Sequence, residues 1–154
     1  MPTTCLDVVP QQRLDVFASQ GMTLLDGPGS PAGGAYDRYP VEDELGDIEC
    51  IWGTPGYVSN IGIDIGPMRD AKRQAVSEYL STLYLEASTV GDVTRYTGAG
   101  TANLPNGMTF PARVDIVRPK SWITVTIDPP GAEQLTLITE IADEVEARTN
   151  ASAP

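Results

Sequence analysis

Between Ile48 and Ile65 apolar and polar positions alternate with period two. Ile48, Cys50 and Trp52 fall on one side of one strand, and Ile61, Ile63 and Ile65 on one side of a second. Thr54-Pro55-Gly56 supplies the reversal between them. From Arg69 to Ala87 the apolar spacing becomes helical, with Ala71, Ala75, Val76, Tyr79, Leu80 and Leu83 on one stripe. Two strands and a helix with matched apolar faces are expected to seed the core.

The same reading carries along the rest of the chain. Residues 5–21 are predicted as a first helix, with Pro10 in its opening turn, Leu14, Phe17 and Ala18 inward, and Gly21 at its end. Met22–Leu25 is a short strand. Asp26–Asp47 loses all periodicity and is rich in Gly, Pro and acidic residues, so it is predicted to be the most mobile internal segment. Strands follow at Asp92–Gly98, Pro111–Val117 and Trp122–Ile127, with a loop across Gly98–Gly107. Pro129-Pro130-Gly131 then opens a last helix, with Leu135, Ile138, Ile141, Ala142 and Val145 inward and Glu133, Glu140, Asp143, Glu144 and Glu146 outward.

This order predicts an α+β fold, a mostly antiparallel sheet packed by about three helices. It forms a single domain over residues 1–154, with the core at about 5–147, a flexible loop at 26–47 and a frayed tail at 149–154. One constant offset aligns Ile61, Ile63, Ile65 and Pro67 with Ile123, Val125, Ile127 and Pro129. It also aligns Val76, Tyr79 and Leu83 with Ile138, Ile141 and Val145. One reading is a pseudo-duplicated strand–strand–helix unit; the other is that any two amphipathic units align this well. Each helix has one apolar stripe, which is expected to be used up in covering one sheet face. The other face, with Glu49, Gly62, Asp64, Thr124 and Thr126, is left polar.

Composition narrows function mainly by exclusion. The formal net charge is −11, so the chain lacks the basic field that nucleic-acid phosphate requires. It has no His, which removes His-based triads, His metal ligands and the usual near-neutral proton shuttle. No phosphate-binding loop, dinucleotide fingerprint, nucleophile elbow or zinc-protease motif is present. No apolar run reaches the roughly 20 residues of a membrane helix. Neither a metal site nor a cofactor is expected, and a non-enzymatic role is favoured.

Cys5 and Cys50 are the only cysteines. They read either as a disulfide clipping the N-terminus to the central strand or as two buried free thiols; spacing and context favour the bridge. Cys-Leu-Asp-Val-Val-Pro at Cys5–Pro10, Glu49-Cys50-Ile51-Trp52 and Ser121-Trp122-Ile123-Thr124-Val125 together resemble small exported or lipoprotein-type domains of high-GC Gram-positive bacteria. Many of those domains have no known function. The resemblance implies a curved antiparallel sheet packed by helices, an extracytoplasmic location and a disulfide, and it carries over no catalytic residue. A signal segment, which such domains have, is absent from this sequence.

Two clusters stand out as binding candidates. Tyr36 and Tyr39 sit in the long loop beside the acidic group Glu42, Asp43, Glu44 and Asp47. Arg69, Lys72 and Arg73 share one face at the start of a helix, where they read either as an anion site or as a solvated, ion-paired face. The expected function is a non-enzymatic extracytoplasmic domain that binds a small ligand or a protein at the cell envelope. Its site is expected where loops of the two halves meet. The alternatives are an acidic inhibitor or immunity-type protein that masks a basic partner, and a structural subunit of a phage or surface assembly.

Overall fold

The computed structural model of the chain describes residues 1–30, 48–57, 59–83, 85–101, 105 and 109–151. A 3-10 turn (Cys5–Asp7) leads into α1 (Gln11–Ser19), β1 (Thr23–Asp26), β2 (Ile48–Gly53), β3 (Asn60–Pro67) and α2 (Asp70–Ser81). Then come β4 (Glu86–Val90), β5 (Val93–Gly98), β6 (Ala112–Val117), β7 (Ser121–Ile127) and α3 (Ala132–Ala151). The seven strands form one antiparallel sheet in the order β1-β2-β3-β7-β6-β5-β4. The fold is α+β, as the sequence pattern predicts.

β3 and β7 meet at the centre. Ile61 pairs with Ile127, Ile63 with Val125 and Ile65 with Ile123. The residues equated by the sequence offset are therefore exchanged by a two-fold rotation about the Ile63–Val125 pair. β3 and β7 follow that symmetry, β4 has no counterpart beyond β1 among the described residues, and the helices break it. Such a rotation keeps each sheet face to itself, yet the two helices that the offset equates pack on opposite faces.

On the first face Val8, Val9 and Phe17 cover Cys50, Trp52 and Leu24, while Ile138, Ile141, Ala142 and Val145 of α3 cover β6 and β7. Phe17 and Trp52 stack at a tilt, with ring centroids 5.3 Å apart. Burial of each such side chain stabilises the fold by roughly 1.5–3 kcal/mol relative to exposure. On the second face Val76 and Leu80 of α2 pack on Met68, Val117 and Trp122. This corrects the expectation that all helices share one face. The crossing begins where Pro67 ends β3 and the Met68 N–H donates to the Lys120 carbonyl at 3.0 Å, which ties the start of α2 to the β6–β7 turn.

Two boundaries differ from the sequence reading. The first helix is split: Val8 and Val9 are buried outside regular helix, and extended Pro10 (φ −68°, ψ 153°) is the N-cap of α1. A residue before proline avoids the helical region, so Val9-Pro10 interrupts the run. Gly21, at φ 74°, follows the helix as expected. The second helix stops at Ser81, and Glu86–Val90 pairs with β5 as a hairpin. Thr89 and Val90 before Gly91-Asp92 are the hairpin signal that outweighs the helical spacing carried over from α2. In α2 the stripe is narrower than read: Ala71 and Ala75 are exposed. Of the long loop Asp26–Asp47, residues 31–47 lie outside the described residues, and its predicted mobility falls mostly on them.

Cys5 and Cys50 are at disulfide distance, with 2.15 Å between sulfurs and 5.6 Å between Cα atoms. Gly27 lies against them. A Cβ there would stand 2.5 Å from the Cys5 sulfur and 2.3 Å from the Glu49 carbonyl oxygen, and its φ is +114°, so only glycine fits.

Candidate functional site

Two polar assemblies are built by the central strands. The first lies on the second sheet face. Asp115 of β6 is fully buried. Arg113, on the same strand and two residues away, donates Nε–H to Asp115 Oδ2 at 2.6 Å and Nη2–H to Oδ1 at 3.0 Å. From β7 the indole Nε1–H of Trp122 and the hydroxyl of Thr124 donate to Oδ1 at 2.9 and 2.6 Å. The Arg113 guanidinium stands over the Tyr79 ring of α2, 5.6 Å from its centroid. A carboxylate that accepts four donors and has no exposure offers nothing to a substrate. This network orders the sheet beneath α2; it is not a reactive centre.

The second assembly is an open cleft of about 440 Å³ lined by Ser59, Thr109, Asp128 and Pro129. Three connections meet there: the end of the β2–β3 turn, the end of the β5–β6 connection and the link from β7 to α3. Backbone hydrogen bonds hold them together. The Asp128 N–H donates to the Asn60 carbonyl at 3.2 Å, and the Gly131 N–H donates to the Ala99 carbonyl at 2.9 Å. Thr101 and Phe110 exchange bonds at 3.0 and 2.8 Å, which closes the neck of the β5–β6 connection. Gly100 in that neck has φ +77°, and a Cβ would stand 2.4 Å from the Phe110 carbonyl oxygen, so glycine is required for the approach.

Asp128 keeps one side open to water, but crowding by the cleft walls desolvates its carboxyl and raises its pKa above the ordinary 3.8. A carboxyl that binds its proton more tightly when folded contributes stability below its folded pKa. That contribution declines as pH rises from the unfolded value through the folded one. Asp128→Asn is therefore expected to remove this decline and to be slightly stabilising at neutral pH. Urea unfolding of both proteins across the acid limb checks it. Parallel curves at every pH would show that the carboxyl is not desolvated.

Of the two binding clusters singled out in the sequence, the described residues include only the one at the start of α2. Tyr36, Tyr39 and the acidic group Glu42, Asp43, Glu44 and Asp47 lie outside the described residues. Arg69 is exposed at the N-cap position of α2 and makes no side-chain cap bond. Lys72 is half-buried in the first turn. Arg73 donates to the Pro119 carbonyl at 2.7 Å and pairs with Asp70 at 3.3 Å, so it fastens α2 to the β6–β7 turn.

The acidic outer face of α3 is also engaged internally. Arg13 makes a two-pronged contact with Glu144 at 2.8 and 2.7 Å, and Arg95 reaches Asp143 at 2.7 Å and Glu146. The Arg13 pKa is raised, first by its hydrogen bond to Glu144. These contacts join α1 and β5 to α3, and they divert several carboxylates that a charge-masking surface would need. Sequence reasoning missed both Asp115 and Asp128. The signal for Asp115 was Arg113, Trp122 and Thr124 at matching alternate positions of neighbouring strands. Asp128 falls between the expected strand Trp122–Ile127 and its Pro129 stop, and the pattern gives it no role.

Among the described residues no three His, Cys, Asp or Glu side chains converge as metal ligands. No helix among them is long and apolar enough to cross a membrane. Comparison with protein-family models, with curated proteins and with solved structures gives no match.

Proposed function

We propose that this is an exported, disulfide-stabilised binding domain that acts at the cell envelope without chemistry of its own, with the Asp128 cleft as its ligand site. The observation that carries the reading is the cleft's frame. Three separate connections, fixed by backbone hydrogen bonds, bring two hydroxyls and one partly desolvated carboxyl of the described residues to one opening. A ligand with a cationic or N–H donor group is favoured, because it offsets the desolvation of Asp128 while Ser59 and Thr109 supply hydroxyl partners.

The exported location is supported by the pairing of the only two cysteines, both without exposure, and by the resemblance to exported Gram-positive domains. Intact mass after thiol alkylation without reductant tests that half: two alkylated cysteines in protein from its native source would remove the compartment argument. For the site, NMR titration with a panel of primary amines, guanidines and matched neutral alcohols is the test. Shifts are expected at Ser59, Thr109 and Asp128 with the cationic members, and are expected to be lost in Asp128→Ala. Shifts confined to the start of α2 with anionic probes would favour the Arg69–Lys72 cluster and displace this placement.

A further inference from the structure

The two edges of the sheet are built differently. At one edge β1 pairs with β2 through a register break between Leu24 and Asp26, and Gly27 and Pro28 follow at once. Bulges and prolines are the usual means of blunting an edge. At the other edge β4 pairs with β5 in unbroken register from Glu86–Thr97 to Val90–Val93. All five residues of β4 are exposed, Val90 by 78%, and none is Lys or Pro.

The geometry of the hairpin decides which backbone groups face outward. Val90 and Val93 flank a two-residue turn in which Gly91 has φ +63°. That makes them a hydrogen-bonded pair, and pairs alternate along an antiparallel ladder. Ser88–Arg95 and Glu86–Thr97 are therefore bonded as well. The N–H and C=O groups of Ala87 and Thr89 point away from β5. Among the described residues no strand lies beyond β4.

We infer that the outer edge of β4 is a docking edge for an extended basic segment of a partner protein, which joins the sheet as an eighth strand. Charge selects this occupant. Glu86 opens β4 and Asp92 lies in the turn that follows it, and the cation of the hairpin, Arg95, is committed to Asp143 and Glu146. A second copy would bring another chain of net charge −11, with its own Glu86 and Asp92, to the same joint. Strand addition draws affinity from the main chain and specificity from alternate side chains. A lysine or arginine near each end of the incoming strand meets those carboxylates. This edge is separate from the Asp128 cleft, so either assignment can fail alone.

The probe is a fluorescent ten-residue peptide that alternates Lys with Val and Thr, compared with the same peptide carrying Glu for Lys. Saturable anisotropy is expected for the basic peptide, weakened about tenfold or more by raising salt from low to molar concentration. Amide exchange is expected to slow at Ala87 and Thr89. Ala87→Pro removes one outward N–H at an edge, where proline is tolerated, and is expected to weaken binding about tenfold or more. Ala87→Lys keeps the N–H and adds a like charge, and it is expected to weaken binding even if the proline variant folds poorly. Equal binding of the acidic peptide, no binding, unchanged exchange at both amides, or dimerisation of the chain through β4 in sedimentation would each overturn the assignment.

Discussion

Replacing both Cys5 and Cys50 by Ser is expected to lower the free energy of unfolding by about 4 kcal/mol, and the melting temperature by about 8–16 °C. The two residues are 45 positions apart, and a bridge across a loop of that length restricts the unfolded chain by about that amount. The folded protein loses packing as well. Both sulfurs are fully buried beside Val8, Val9, Phe17 and Trp52. The N-terminal segment is also held by the packing of Val8 and Val9 in the core and by the Cys5 N–H bond to the Pro28 carbonyl at 3.0 Å. Denaturant titration of the wild type with and without reductant, beside the double variant, gives the measurement. If the reduced wild type matches the oxidised one, the loop is ordered without the bridge and the entropic account fails.

That expectation was open to a reader of the sequence, because two cysteines permit only one internal pairing. Other features were legible for similar local reasons. The alternation of Ile61, Ile63 and Ile65 and the spacing of Ile138, Ile141 and Val145 each report one buried face directly. What was not legible depended on which face a neighbour covers. The stripe of α2 reads the same whichever side of the sheet it meets, and the contact between Met68 and Lys120 that directs it joins residues far apart in the chain. β4 was hidden because helical spacing from α2 ran on into it, although none of its side chains is buried. The cleft escaped because its frame is made of backbone bonds at Asn60, Ala99, Asp128 and Gly131, and side-chain patterns carry no record of those.

The Asp115 network is the clearest case of a residue whose sequence context misleads, and it carries the other large expected effect. Asp115 lies between inward Val114 and Ile116, so alternation places it on a polar face. There it is sealed beside Trp122 and under α2. Asp115→Ala is expected to cost about 3–5 kcal/mol, because the buried Arg113 guanidinium loses its two-pronged carboxylate while Trp122 and Thr124 lose an acceptor. Asp115→Asn keeps the shape but returns too few acceptors for these donors, and its loss should fall between wild type and alanine. The decisive comparison is the paired replacement Arg113→Met with Asp115→Leu. Apolar pairs of similar volume often match or exceed a buried ion pair, so the double variant is expected to recover most of what Asp115→Ala loses. Urea unfolding of Arg113→Met alone, Asp115→Leu alone and the double variant measures the coupling. Additive losses, with no recovery in the double, would mean that Arg113 and Asp115 are held by separate partners and that the network does not act as one unit.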